Sequence, residues 1–142
     1  MKFSLERPGG YSIHSYAVGE IVLHAEGPVA ADPAVEVLEP GLQRVRGPLL
    51  LTAERLITGW APRSVAELSA AHLEPALALE PALILLGTGA HQHFPPAEIL
   101  ALPQQRGIGM EIMATAEACR TFNILVAEGR PVVAALMMIE GG

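Results

Sequence analysis

His91 and His93 stand one residue apart just after Gly87-Thr88-Gly89, where the apolar run ALILL (82–86) ends. In an extended segment the two imidazoles would share one face and could give two ligands to a zinc ion, and the glycine amides ahead of them could cradle an anion. The local sequence completes neither site. A third metal ligand would have to arrive from His14, His24 or Cys119 through folding, so the pair reads as loop histidines and no metal is expected. A dinucleotide fingerprint needs a further glycine where His91 or Gln92 stands, and G-x-x-x-x-G-K-[ST] does not occur in the chain. A sharp turn or a close backbone approach is the simpler role for Gly87 and Gly89.

Other residues with chemical potential lie downstream. Glu111, between Met110 and Ile112, is a carboxylate in an apolar strand, which must find a donor such as Arg120 or Arg130 or else face a cleft. If the Gly87 end and the start of the Gly107 segment rim one crevice, then Gly87, Gly89, Gly107 and Gly109 present amides to an anion. Thr88 would donate a hydrogen bond and Glu111 would act as base. Thr121 and Asn123 flank Phe122 on the polar side of a helix, placed to bond neighbouring loops. Trp60, between Gly59 and Pro62, is either a core cap or an anchor for a protein partner. Cys119 falls in the first turn of an apolar-faced helix, where a buried structural thiol is the plainer reading than a nucleophile. No G-x-S-x-G elbow exists, and the sole aspartate, Asp32, sits in a proline-rich loop, so Ser-His-Asp hydrolysis has no support. No catalytic motif is complete, and no cofactor is implied.

The elements that position these residues follow from periodicity. At 142 residues the chain suits a single domain spanning 1–142 with its own core. Residues are 51% hydrophobic but only 4% aromatic, which favours aliphatic helix-on-sheet layers. Residues 11–31 alternate imperfectly as short antiparallel strands punctuated by Gly19 and Gly27-Pro28; 32–48 read as loop with one strand at 34–38, and 49–52 as a further strand. Ser64-x-x-Glu67 is a capping box that predicts a helix over 65–72. Residues 82–86 form a strand buried on both faces, Pro95-Pro96 opens a helix running to about residue 102, and 107–113 form another strand. A helix capped by Thr115 then places Ala118, Phe122, Leu125 and Val126 on one face and ends at Gly129. A buried strand over 132–139 completes the series. Alternating helices and strands in the second half predict an α/β sheet covered on its faces, to which the amino-terminal strands are added.

Charge and hydropathy narrow the partners. The formal charge is −6 with no basic cluster, which excludes nucleic acid as a partner. No apolar run reaches the roughly 18 to 20 residues of a membrane span, so membrane insertion is not expected. MKFSLERPGG lacks the apolar core of a secretory signal, and a lone cysteine excludes an intrachain disulfide, so the cytoplasm is the expected compartment.

Four segments carry a resemblance: LLGTG (85–89), GIGMEIMAT (107–115), TFN (121–123) and EGRPVVAAL (128–136). In order and spacing they resemble the Mth938-like family of unknown function (DUF498/DUF598), which includes the mitochondrial complex I assembly factor 3. The resemblance is strongest in the carboxyl-terminal half. It implies a three-layer α/β fold with a mixed central sheet, helices on its faces and additional amino-terminal strands. The family usually has T-Y-N where this chain has T-F-N, so any role of that phenol is lost at Phe122, and the Cys119 position is usually small. The resemblance implies no enzyme activity; the family's best-understood role is binding other proteins during respiratory-complex assembly. The resulting expectation is a non-catalytic interaction domain that binds a protein partner through a sheet edge or the Trp60 region. The alternative is a small-molecule or anion-binding domain using the glycine-lined crevice.

Overall fold

The computed structural model describes residues 10–26 and 32–141; the readings of residues 1–9 and of Gly27-Pro28 lie outside them. The centre is a five-stranded mixed sheet in the order β6(Leu56–Thr58)-β5(Leu49–Leu51)-β9(Val132–Met137)-β7(Leu83–Thr88)-β8(Gly109–Met113). β7 pairs parallel with both β8 and β9, while β5 is antiparallel to β9 and β6. Such central parallel strands must be apolar on both faces, and β9 is buried at every position. Side chains alternate between two cores. Leu85, Ala134 and Leu136 point to one, and Ile84, Leu86, Val133 and Ala135 to the other.

α1(Ala70–Leu77) and α2(Ala97–Gln105) cover the second face together with Trp60. α3(Thr115–Ala127) covers the first, burying Ala118, Phe122, Leu125 and Val126 as their spacing predicts. Beside α3 on that face lies a four-stranded antiparallel sheet, β1(Tyr11–Ala17), β2(Glu20–Ala25), β4(Leu42–Val45) and β3(Val35–Glu39), in the order β1-β2-β4-β3. The result is the expected three-layer α/β arrangement, with the amino-terminal strands as additional β structure.

Three local readings are corrected. Residues 64–67 make only a 3₁₀ turn in which Ser64 forms no side-chain cap bond, because Glu67 reaches past it to accept the Arg63 N–H at 3.0 Å. The helix starts later, at a box closed by Ser69 and His72, whose Nδ1 accepts the Ser69 N–H at 3.0 Å. β4 lies in a segment read as loop, since its inward positions are Gln43 and Val45, and a buried glutamine hides the strand alternation. β6 also went unpredicted; it is three half-buried residues at a sheet edge.

Asn123 joins the two sheets. Its Oδ1 accepts the Ile13 N–H and its Nδ2 donates to the Ile13 carbonyl, both at 2.8 Å. One side-chain amide thus replaces a neighbouring strand along the edge of β1. Asn123→Ala should destabilise the fold by about 1–3 kcal/mol through the two unpaired backbone groups. Hydrogen exchange at the Ile13 amide should accelerate beyond the global change; unchanged Ile13 protection would contradict this role.

Candidate functional site

The carboxyl end of β7, where ligands of open α/β sheets usually bind, is closed by the chain itself. Gly87 has no room for a side chain: a Cβ there would lie 3.0 Å from Thr115 Oγ1 and 3.0 Å from Leu136 Cδ2. This close approach lets α3 begin directly on the sheet. The Thr115 hydroxyl donates to the Met137 carbonyl at 2.7 Å and accepts the Gly89 N–H at 2.8 Å, while the Thr115 N–H donates to the Gly89 carbonyl at 2.9 Å. Thr115 was read as a helix cap; Ala114 holds the cap position, and the threonine hydroxyl ties helix to sheet instead.

The shared glycine crevice is therefore overturned. Parallel pairing sets Gly109 opposite Leu83, at the start of β7, and Met113 opposite Gly87. The two glycine pairs stand at opposite strand ends, about 13 Å apart at some 3.3 Å per residue. Gly107 adopts φ +72° and ends α2: its N–H donates to Gln104, and the Ile108 N–H donates to Pro103. Gly109 lies against Leu83 Cδ1 at 3.3 Å. With the Gly89 amide already bonded, no anion cradle remains at the Gly87 turn.

The other candidates separate likewise. Glu111 is exposed on an edge strand, and among the described residues it has no ion-pair partner; Arg120 donates to the Tyr16 hydroxyl instead. It therefore faces neither a buried donor nor the Gly87 turn. Trp60 is only 5% exposed and its Nε1 donates to the His72 carbonyl at 2.8 Å, making it a core cap rather than a surface anchor. Thr121 is half-buried on α3. Arg130 follows α3 and lines a cleft at the amino ends of β7 and β9. Asp32 accepts from Ala34 N–H and the Thr58 hydroxyl, bonds that hold its carboxyl below the usual range and tie the loop to β6. His14 and His24 pack edge to face at 4.8 Å between ring centroids. Among the described residues no three His, Cys, Asp or Glu side chains gather as a metal site.

What the β7 end does display is a braced loop. The Thr88 hydroxyl donates to the His91 carbonyl at 2.6 Å and accepts the His93 N–H at 3.1 Å; Gln92 Nε2 donates to the Ile112 carbonyl of β8 at 2.8 Å. Pro95 is buried, and Phe94 beside it is 64% exposed, with His91 and His93 exposed next to it. The sequence reading passed over Phe94. Its signal is an aromatic residue outside every periodic apolar segment, held between His93 and Pro95.

Two measurements probe this architecture. Thr115→Val should destabilise by about 2–4 kcal/mol, because two buried backbone groups lose their partner while shape is kept; Thr115→Ser should recover most of that loss. Equal denaturation midpoints for wild type and Thr115→Val would refute the bridging role. Burial pushes the Cys119 thiol up to about 12, so it stays protonated at neutral pH. The native thiol should react with a disulfide reagent at pH 8 about 10³-fold more slowly than in the denatured chain. By linkage, the unfolded thiol ionises first, so this group lowers stability as pH rises from about 9 towards about 12.

The comparisons converge on one family. The profile described as "Protein of unknown function (DUF498/DUF598)" matches residues 34–137. The 13 kDa major membrane protein of Francisella tularensis is 36% identical over 86 residues, 60% of this chain and 70% of that protein. NADH dehydrogenase [ubiquinone] 1 alpha subcomplex assembly factor 3 of Danio rerio is 39% identical over 88 residues, 61% of this chain and 51% of its own. The chain thus spans about half the length of that assembly factor. A crystal structure of a Bordetella parapertussis protein superposes with a TM-score of 0.75 at 28% identity, covering 94% of this chain and 99% of that one. A Mth938-like domain from Bordetella pertussis shares the fold at TM-score 0.70 and 24% identity, covering 100% and 95%. No helix among the described residues is long and apolar enough to cross a membrane. The matched profile, the relatives and the shared fold together establish that this chain belongs to the DUF498/DUF598, Mth938-like family.

Proposed function

We propose that this chain is a protein-interaction domain that holds a partner protein in the manner of an assembly factor, with Phe94 as its anchor. The supporting observation is the exposed phenyl ring on a loop braced by Thr88 and Gln92. An aromatic side chain already held in place loses little entropy on association, and such residues dominate binding energy where a partner offers a pocket. The assembly-factor names of the relatives support the same reading. Phe94 takes the place expected for Trp60, whose ring is spent on the core.

The test is purification of the tagged chain, expressed from its own locus at native level, after mild crosslinking. A stoichiometric protein should accompany it. Phe94→Ala should weaken that association by about 30-fold, the loss of a typical hot spot, with an unchanged melting temperature. Ile124→Ala, at an exposed apolar position of α3, should leave it intact. Full retention by Phe94→Ala, or no partner at native expression, would refute the proposal.

A further inference from the structure

The amino ends of the parallel strands, opposite the Phe94 loop, are open. A cleft of about 570 Å³ lies there between the β5–β6 turn, the segment entering β7 and the end of α3. That size is in the range of small-molecule sites. Val126, Val132 and Val133 lie beneath it and are buried, so its accessible apolar lining comes from Ala53, Ala78, Leu79 and Pro131. Two guanidinium groups, Arg55 and Arg130, reach its lining from separate elements, and Glu54 is the one acidic residue there. The ion pairs among the described residues engage Arg44, Arg46 and Arg106, and neither Arg55 nor Arg130. In a chain of charge −6, this lining sets two cations against one carboxylate.

Both arginines rise from fixed backbone. Thr52 Oγ1 accepts the N–H groups of Glu54 at 3.2 Å and Arg55 at 2.9 Å, and the Thr52 N–H donates to the Arg55 carbonyl at 2.8 Å. On the other side the Gly129 N–H donates to Val126 at 2.9 Å and the Arg130 N–H to Leu125 at 3.0 Å, the hydrogen bonds of a glycine-terminated helix. The Ala82 N–H donates to the Pro131 carbonyl at 2.8 Å, pinning that wall to β7. The carboxyl end of α3 would by itself repel an anion, but these amides already occupy its last carbonyls.

We propose that this cleft binds an organic anion made of a carboxylate on an aliphatic body, with Arg55 and Arg130 holding the carboxylate and Ala53, Leu79 and Pro131 receiving the aliphatic part. A planar guanidinium pairs with a carboxylate through two parallel hydrogen bonds, and the accessible apolar lining favours an apolar body over a bare inorganic ion. The carboxylate can come from a free aliphatic acid or from a peptide with an apolar carboxyl-terminal residue.

Titration of the ¹⁵N-labelled chain tests this with sodium hexanoate, hexanamide, inorganic phosphate, and N-acetyl-Leu-Leu as acid and as amide. At least one carboxylate should shift the amides of Arg55, Arg130 and Val133 saturably. Its neutral amide and phosphate should each bind at least tenfold more weakly. Tighter binding of hexanoate assigns a free acid as ligand, and tighter binding of the peptide acid assigns a protein terminus. Arg130→Gln and Arg55→Gln should each weaken binding at least tenfold at unchanged melting temperature. The proposal falls if no carboxylate shifts these amides, if the tighter-binding carboxylate is matched by its own neutral amide or by phosphate, or if either variant binds normally. Arg130→Gln should also retain the partner captured through Phe94, so the failure of one proposal is distinguishable from that of the other.

Discussion

The seating of α3 directly on the ends of β7 and β9 is the constraint from which most of this molecule follows. Gly87 makes it sterically possible, since a methyl group there would overlap Thr115 and Leu136. Thr115 makes it favourable, because one hydroxyl satisfies a donor on Gly89 and an acceptor on Met137 that would otherwise be buried without partners. With its first turn fixed, α3 carries Phe122 into the first core and Asn123 to the edge of β1. The amide of Asn123, two turns along a helix whose start is locked, adds a directional bond to the core that the second sheet shares with α3. The same seating uses the Gly89 amide that a ligand would need, so the strand end familiar as a binding site becomes structural.

Much of the fold is legible in the sequence because its signals are strong and local. The apolar runs at 82–86 and 132–139 and the apolar face of Ala118, Phe122, Leu125 and Val126 report burial directly, and the structure places 84–86, 132–138 and that helix face in the two cores. What escaped was decided by pairing partners. β4 is held as a strand by β2 and β3 on either side of it although Gln43 faces inward, and no local pattern announces that. The glycine crevice failed for a similar reason. Strand positions were correct, but the parallel register that sets Gly109 opposite Leu83 comes from how α2 crosses over the sheet. A motif names residues that can make a site; register decides which of them meet.

The candidate site was less legible than the fold, for a reason rooted in satisfaction of polar groups. Gly87, Thr88 and Gly89 were correctly marked as unusual. Whether their amides and hydroxyl are free or already bonded depends on Thr115, which lies 26 residues after Gly89. Thr88 spends its hydroxyl on His91 and His93, and the product of those bonds is the exposed position of Phe94. Polar residues that look catalytic in a line of letters here shape a loop. Trp60 shows the converse: its size suggested a surface anchor, but the His72 carbonyl satisfies its indole N–H and lets it sink into the core.

Both ends of the parallel strands consequently have distinct characters set by the same chain direction. At the carboxyl ends, helix start and strand end interlock, and what projects is an aromatic side chain. At the amino ends, α3 finishes at Gly129 and α1 gives way to Pro81, so a cleft is left open between two loops that carry Arg55 and Arg130. Between them run β7 and β9, with β9 buried throughout and close-packed on both faces. The five steps between the ends of a six-residue strand, at about 3.3 Å each, keep the ends some 17 Å apart. A molecule seated in this cleft is therefore out of contact range of one held at Phe94. Any influence of one on the other would have to pass through the packed sheet or along α3, which starts at one end of β7 and finishes at the other.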